Sequence, residues 1–402
     1  MRKKLKILML LLISIIISAS AMGCLNPTSL EKYGYVLTIG VDKGKEKKYE
    51  ITFELQRELS GEEGSENPGR VVLLSEEGDT IFEAINIIYR RTSFDLNFAR
   101  THAFVFCKEM AESGRMKDFL SMSLDKLRIR QSAIVLISDG NAKEFLGGRN
   151  ANNEANATRI HENLLEGAKV VGETSVMNLG AIFESCDGRR FDVALTYGSV
   201  DDKIITDAKQ KESASMGENP VQNPKDRVGG MQTQMDGAAL FDGWKLVGTL
   251  PGHDTQILNI ASGRFKNGSI MMDASEGVQY ALLVQLDEYR IKTEVANDVK
   301  AEISVVLSLT ISQDPTGELA KNWEDRGKQL VEEYFEKELD RITKYCKKVN
   351  SDALGIGRYV SKKFKTVEEW EAFDWKKRYP ETEVKFNVDV ILSDVYIAIT
   401  RQ

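Results

Sequence analysis

The sequence predicts a mixed α/β (α+β) fold of two to three domains, with mixed or antiparallel sheets flanked by helices. Segments in both halves of the chain alternate apolar and polar residues with a period of two, which is typical of half-buried strands. Amphipathic segments with helical spacing stand between these strands. A polar stretch at residues 199–235 separates the two halves. Neither half contains a sequence repeat of fixed period.

The first half predicts a hairpin and then an alternation of helices and strands. Two alternating runs at 35–56 flank a polar connection that contains glycine, as in an antiparallel hairpin. Thr80 and Glu83 have the spacing of a capping box and precede a helix. The remaining predicted elements are a strand at 102–106, a helix at 116–127, a strand at 133–138, helices at 141–146, 157–166 and 175–184, and a strand at 190–196.

The second half predicts longer strands and one long helix. Asp242-Gly243 is a turn dipeptide between apolar runs and predicts a hairpin. A short helix follows Pro251, and strands are expected at 278–294, 301–312 and 383–392. One apolar stripe on a charged segment predicts a helix near 318–349, which at 1.5 Å per residue would be about 45 Å long.

These patterns divide the chain into four parts. The expected division is a signal peptide at 1–23, an N-terminal mixed α/β domain at 24–198, a polar linker at 199–235 and a C-terminal α+β domain at 236–402. The linker carries Pro220, Pro224 and a pair of glycines, and this composition is typical of a domain boundary.

The N-terminus has the organisation of an export signal. Four basic residues within the first six positions precede an apolar block from Ile7 to Met22, which is shorter than the roughly 20 residues of a membrane-spanning helix. The following Ala21-Met22-Gly23-Cys24 resembles the lipobox of bacterial lipoproteins, although Ala21 replaces the usual leucine. That resemblance implies cleavage before Cys24 and lipidation of its thiol. An uncleaved anchor with an incidental cysteine is the alternative.

Charge and composition exclude some classes of function. With 42% apolar and 29% charged residues, the chain has the composition of a globular protein. Cleavage before Cys24 would remove four positive charges from a chain of net charge −7 and leave −11. Such an acidic body argues against nucleic acid as a partner and against broad adhesion to anionic lipid.

The remaining candidate ligands and nucleophiles form no recognisable site in the sequence. Cys107, Cys186 and Cys346 are far apart and predict buried, unpaired thiols, although one disulfide among them stays open. The three histidines share no metal-ligand spacing: His102 is expected in a strand, His253 at a helix start, and His161 has no assigned role. Nucleophile-elbow and phosphate-loop motifs are missing from the sequence. The prediction is a protein that is not an enzyme, with no cofactor or metal site.

Four segments in order resemble the Ger(x)C family, the lipoprotein C subunits of bacterial spore nutrient germinant receptors. They are "LEKYGYVLTIGVDK" near the start, "ARTHAFVFCKEMAESGRMKDFLSMSLDKLRIRQSAIVLISDGNAKEFL", "GAALFDGWKLVGTLPGHDTQILNIASG" and "DALGIGRYVSKKF" with the following "YPETEVKFNVDVIL". The family often has a tryptophan soon after the lipidated cysteine, where this chain has "LNPTS".

The resemblance implies a location, partners and a role. The protein would be anchored by lipid at Cys24 to the outer face of the spore inner membrane, in complex with two multispanning subunits, one A-type and one transporter-like B-type. It would be required for nutrient-triggered germination and would act by assembly and binding rather than catalysis. No catalytic residues are implied. A solute-binding lipoprotein of a transporter is the alternative, and it predicts two similar lobes around a cleft.

Overall fold

The computed structural model describes residues 32–57, 70–150, 171–188, 190–200, 233–273, 278–296 and 298–395, together with positions 7 and 9. These residues form two β-sheets with helices packed against them, which confirms the predicted mixed α/β fold. The predicted helix at 157–166 and nearly all of the predicted linker lie outside the described residues.

The first sheet has nine strands in the described part of the chain. They are β1 (Tyr33–Lys43), β2 (Tyr49–Arg57), β3 (Arg70–Gly78), β4 (Asp95–Asn97), β5 (Ala103–Cys107), β6 (Ile134–Ser138), β7 (Ala194–Val200), β8 (Thr233–Asp242) and β9 (Lys245–Leu250). Their order is β3-β2-β1-β5-β6-β7-β8-β9, with β4 beside β1. Strands β1, β5, β6 and β7 are parallel, and antiparallel hairpins extend the sheet at both sides. The hairpin predicted at 35–56 is therefore β1 and β2.

In the described ranges, five helices pack against this sheet. They are α1 (Ile81–Arg91), α2 (Lys108–Glu112), α3 (Met116–Asp125), α4 (Ala142–Asn150) and α5 (Leu179–Gly188). The Thr80 hydroxyl accepts the Glu83 N–H at 3.1 Å, as the capping box predicts, but the Glu83 carboxylate accepts the N–H of Asp79 instead of that of Thr80. Helix α5 begins four residues later than predicted, because the hydroxyl of Ser175 donates to the Ala194 carbonyl and holds the preceding segment extended along β7.

The β8–β9 hairpin is shared by two hydrophobic cores. Ala239 and Phe241 pack among the buried residues of the first core, which lies between the first sheet and its helices. Ala238 and Leu240, on the opposite face of the same strand, pack in the second core with the C-terminal elements. Because adjacent residues of a strand point to opposite faces, this one strand buries both of its faces and joins the two halves of the molecule.

The second sheet is smaller and carries the long helix. Its four strands, in the order β10-β11-β12-β13, are β10 (Asn267–Asp273), β11 (Gln279–Val295), β12 (Val299–Gln313) and β13 (Glu383–Val395). The first three are antiparallel, and β13 is parallel to β12. The helices of this half are α6 (Gly252–Ala261), α7 (Glu318–Lys321), α8 (Lys328–Lys348), α9 (Ile356–Val360), α10 (Val367–Phe373) and α11 (Trp375–Arg378).

The helix predicted at 318–349 is interrupted near its start. A π-helical turn at Trp323–Gly327 separates α7 from α8, and the Gly327 N–H donates to the Asn322 carbonyl at 2.8 Å. A Cβ at Gly327 would lie 2.7 Å from the Leu319 carbonyl oxygen, so a glycine is needed for the wide turn to close. None of the helices in the described ranges combines the length and the apolar composition needed to span a bilayer.

Candidate functional site

Cys24, which is the one functional residue that the sequence predicts, lies outside the described residues. Its lipidation therefore stays a prediction. The three other cysteines are buried and unpaired, as expected. Burial raises the pKa of the Cys107 thiol to about 11 and raises the pKa values of Cys186 and Cys346 as well. Thiols of this kind are inert packing residues.

The histidines have structural partners. His102 stands just before β5, where its Nδ1 lies 3.1 Å from the Arg100 carbonyl oxygen. His253 lies in the first turn of α6, as predicted, and its Nε2 is 3.1 Å from the Tyr334 hydroxyl. His161 lies outside the described residues. Among the residues that the structure describes, no cluster of histidine, cysteine and carboxylate side chains could hold a metal ion.

Asp42 links two segments that carried the family resemblance. It ends the "GVD" run of β1, and its carboxylate accepts the N–H groups of Ala142 and Lys143 at 2.7 and 2.9 Å, in the first turn of α4. A Cβ on Gly40 would lie 3.0 Å from Leu146, so the missing side chain lets α4 lie close to the strand. Burial raises the pKa of Asp42 to about 6 although both hydrogen bonds favour the ionised form. The "GVD" run of the first quoted segment and the "AKE" run (residues 142–144) of the second are thus two halves of one helix-docking contact.

A buried polar cluster joins the two halves of the chain, and we call it the junction. Its centre is Asp352, which is fully buried in the loop after α8. The Asp352 carboxylate accepts the N–H groups of Gly355, Ile356 and Gly357 at 3.1, 2.9 and 2.7 Å, and the indole N–H of Trp375 at 3.0 Å. This carboxylate therefore caps α9 and fixes α11 against the same loop.

The other side of the junction belongs to the first half of the chain. Asp192, two residues before β7, is 1% exposed and accepts the N–H groups of Asp352 and Gly243 at 2.8 Å each. Lys376 forms ion pairs with both Asp192 and Asp242, the latter at 2.6 Å. The hydroxyl of Ser351 donates to the Phe241 carbonyl at 2.6 Å. Lys376 and the carboxylates of Asp192 and Asp242 thus bind the C-terminal motif to the segment before β7 and to the β8–β9 hairpin.

Burial shifts the pKa values of the charged groups at the junction. Burial raises the pKa of Asp352 to about 7. Burial also raises the pKa of Asp192, although the positive charge of Lys376 acts in the opposite direction. Nearby, the half-buried Arg264 donates to the Ala353 carbonyl at 2.8 Å, and burial of its guanidinium lowers its pKa to about 10. Most of the hydrogen bonds of these charged groups are made with backbone groups, so the cluster positions chain segments.

An open groove of about 670 Å³ lies beside the junction, between α5 and the segment from α9 to α10. Arg358 connects its two walls, since its guanidinium lies 4.9 Å from the centre of the Phe191 ring and 3.8 Å from the Glu184 carboxylate. Other cationic and aromatic side chains in its lining are Arg190, Tyr359, Lys362, Phe364, Lys365 and Trp370. The carboxylates of Glu184, Asp187 and Glu371 lie in the same lining, so the groove carries charges of both signs.

Sequence reasoning missed the junction. Asp192 and Asp352 are 160 positions apart, and neither belongs to a local pattern of catalysis or metal binding. The available signal was the glycine spacing in "DALGIG". Gly355 has a φ of +80°, and a Cβ at Gly357 would lie 1.9 Å from the Arg190 carbonyl oxygen. Two glycines with such requirements indicate a tight loop against other backbone.

Two family models match most of the described chain. A family model described as "Spore germination protein N-terminal domain" matches residues 26–200, and one described as "Spore germination B3/GerAC like, C-terminal" matches residues 236–395. A search of curated proteins found no match. Among solved structures, the crystal structure of the GerBC protein is similar in fold, with a TM-score of 0.52 and 14% identity over 88% of this chain and 96% of that one.

Proposed function

Because the chain belongs to the Ger(x)C family of spore germination proteins, we propose that it is a membrane-anchored lipoprotein subunit of a nutrient germinant receptor. The observation that carries the proposal is the pair of family models, which together match most of the chain in the expected order. The subunit is required for nutrient-triggered germination and acts by assembly and binding rather than by catalysis.

The anchor in this proposal is a lipid on Cys24, at the outer face of the spore inner membrane. Support comes from the basic, apolar and small-residue order before Cys24 and from its place nine residues before β1. At 3.3–3.6 Å per residue, nine residues reach at most about 30 Å. A lipid at this position therefore keeps the folded body next to the bilayer, where the multispanning A-type and B-type subunits are the proposed partners.

The buried carboxylates support a role in assembly, because they fix the packing of chain segments. The carboxylates of Asp42, Asp192 and Asp352 bind backbone N–H groups and fix the packing of separate segments. The solute-binding alternative predicts two similar lobes, but the two sheets have nine and four strands in the described residues and share the β8–β9 hairpin. This arrangement favours a body with a fixed shape, as in a subunit that presents surfaces to its partners.

Deletion of the gene tests the proposal directly. We expect spores of the deletion strain to lose their response to one class of nutrient while vegetative growth continues. Complementation with the wild-type gene should restore germination, whereas Cys24→Ala should restore it poorly, and Asn26→Ala serves as a matched control in the same segment. A normal response of the deletion strain to every nutrient tested would refute the proposed role.

Purification from dormant spore membranes tests the partners and the anchor separately. Two multispanning proteins should purify with the chain, and mass spectrometry should find Cys24 as a diacylglyceryl-modified N-terminus. A mature protein that retains residues 1–23 would refute the lipid anchor, and a chain that purifies alone under mild detergent would refute the complex.

A further inference from the structure

One edge of the first sheet collects the N-terminal ends of its parallel strands. Tyr33 begins β1 and pairs with Asp95 of β4, and β5 and β6 begin side by side at Ala103 and Ile134. The Ile134 N–H donates to the His102 carbonyl at 3.0 Å, so the segments that enter these two strands lie together. We call residues 98–102 and 126–133, with the start of β1, the N-terminal edge.

The N-terminal edge is basic in a protein whose mature net charge would be −11. Arg100, Lys126, Arg128 and Arg130 are exposed there, and the guanidinium of Arg100 lies 4.1 Å from the centre of the Tyr35 ring in β1. Within 95–102 and 125–133 the acidic residues are Asp95 and Asp125, so cations outnumber carboxylates by four to two.

The strained backbone conformation of Arg128 indicates that its side chain is held at a functional position. Arg128 has a φ of +54°, which is in the left-handed region that non-glycine residues seldom adopt. Such a conformation persists only where the surrounding structure imposes it, and it is common at functional positions. The strained turn presents an exposed arginine between two other exposed cations of the same loop, Lys126 and Arg130.

The length of the chain before β1 places this edge near the membrane. Cys24 precedes Tyr33 by nine residues, which span at most about 30 Å. Strand β1 has 11 residues and is about 36 Å long at 3.3 Å per residue. The start of β1 therefore stays within about 30 Å of a lipid at Cys24 whichever way the tether runs, whereas the far end of the same strand can lie up to about 66 Å from it.

We propose that the N-terminal edge rests on the anionic headgroups of the bilayer to which Cys24 is anchored, with Arg100, Lys126, Arg128 and Arg130 as the contacting cations. This orientation rests on the proposed lipidation of Cys24. It also goes beyond that proposal, because a lipid alone limits the distance between the protein and the bilayer but does not determine which face of the protein meets the bilayer. Cations next to an anionic leaflet are attracted to it, while the acidic remainder of the body is repelled and turns away. The expectation that the acidic chain does not adhere broadly to anionic lipid is compatible with this local contact.

Hydrogen exchange of the full lipidated chain in nanodiscs tests the orientation. Amides of 98–102 and 126–133 should exchange at least about fivefold more slowly in discs with 30% phosphatidylglycerol than in pure phosphatidylcholine, because even a single cation near an anionic surface favours contact by about that factor. About 0.5 M NaCl should abolish the difference. The quadruple variant Arg100→Gln, Lys126→Gln, Arg128→Gln and Arg130→Gln should show no difference between the two lipids.

A matched quadruple variant separates location from charge. Lys45, Lys48, Lys292 and Lys337 are exposed elsewhere, and their replacement by glutamine makes the same change in net charge. This variant should keep the lipid-dependent protection. If it loses protection as fully as the edge variant, net charge explains the effect and the proposal is wrong.

Co-flotation with the discs and mass spectrometry of the N-terminus distinguish the two levels of the argument. A chain that does not float and lacks a lipid refutes the anchor. A lipidated chain that floats but shows equal exchange in both lipids refutes the orientation alone. Protection of the edge only in discs that also contain the multispanning subunits would assign the edge to a protein partner and would likewise overturn the lipid contact.

Discussion

Asp192 and Asp352 form two hydrogen bonds with each other across 160 positions of sequence. The N–H of Asp352 donates to the Asp192 carboxylate at 2.8 Å, and the N–H of Asp192 donates to the Asp352 carbonyl at 3.1 Å. Lys376 lies against the same Asp192 carboxylate. Because Asp192 precedes a strand of the first sheet and Asp352 follows the long helix, this contact fixes the C-terminal motif of the family to the first half of the protein.

Replacement of Asp352 by asparagine should destabilise the protein by about 2–4 kcal/mol. The Asp352 Oδ2 accepts N–H groups from both Gly357 and Trp375, and the amide group of an asparagine would place a donor against at least one backbone N–H. Urea unfolding monitored by tryptophan fluorescence measures the change. Asp325→Asn, at an exposed carboxylate, is the control and should change the free energy of unfolding by less than about 0.5 kcal/mol.

Gly357→Ala should be among the most damaging single substitutions in the C-terminal half. The added Cβ would lie 1.9 Å from the Arg190 carbonyl oxygen and 2.3 Å from the Trp375 indole nitrogen, so the backbone of α9 must move. We expect a loss of about 3 kcal/mol or more, or a failure to fold, in thermal and urea unfolding.

The matched control for this substitution is Gly355→Asn in the same loop. Gly355 has a φ of +80° but nothing within 4 Å of an added Cβ, and asparagine tolerates left-handed backbone. Its cost should stay near 1 kcal/mol. Equal effects at the two positions would contradict the packing argument for Gly357.

The sequence predicts the elements of this fold far better than their assembly. Alternation in "YVLTIGVDK" and "YEITFELQ" identifies β1 and β2 because each strand carries its own apolar face. The same local rule cannot show that β8 buries both faces, since Ala238 and Ala239 are apolar on each side and only the tertiary structure separates their cores. The π-helical turn before α8 was also missed, because the apolar stripe passes through it without a break.

The junction shows why site prediction stopped at Cys24. A lipidation signal is a local string, so the sequence displays it. Asp192, Lys376 and Asp352 act together only after the two halves of the chain pack, and each of them resembles an ordinary surface residue in its own segment. The resemblance to the family identified "DALGIG" as a signature, but its physical role, a loop closed around one buried carboxylate, needed the structure.

Arg341 and the buried Asp254 form a further ion pair that should control stability. The guanidinium donates to both Asp254 oxygens, at 2.7 and 3.1 Å, and joins α8 to α6. Arg341→Leu should cost about 3–5 kcal/mol because it leaves the Asp254 carboxylate, which is 3% exposed, without this partner. Asp254→Asn in the Arg341→Leu background should recover part of the loss in urea unfolding. If the changes in the free energy of unfolding for Arg341→Leu and Asp254→Asn simply add in the double variant, the pair is not coupled.

The stability of the protein should fall as pH rises from about 4 to 7. Burial raises the pKa of Asp352 to about 7 and those of Asp42 and Glu173 to about 6, above the values of about 4 expected in the unfolded chain. In this window the folded state binds more protons than the unfolded state, so each raised pKa contributes stability that is complete below about pH 4 and is lost through the folded-state pKa. Urea midpoints at pH 5, 6, 7 and 8 should decrease in that order.

Asp42→Asn supplies the internal control for this pH dependence. Removal of one titrating carboxyl should flatten the slope between about pH 4 and 6 and leave the slope above pH 6 largely unchanged. A stability that rises with pH in the wild-type protein would mean that the hydrogen bonds to these carboxylates outweigh their burial. An unchanged slope in Asp42→Asn would show that Asp42 titrates alike in the folded and unfolded states.

Thiol labelling distinguishes a lipidated Cys24 from a free one in the native protein. Cys107, Cys186 and Cys346 are buried, and their raised pKa values keep them protonated at neutral pH, so a maleimide should label none of them until the protein unfolds. The chain has four cysteines. A lipidated protein should therefore take up no label in the native state and three in urea, because the fourth thiol is blocked by its lipid. An uncleaved anchor with an unmodified Cys24 should take up one label in mild detergent and four in urea. The Cys24→Ala variant provides the reference for both states, since it must show no native label and three in urea whichever interpretation of the N-terminus is correct.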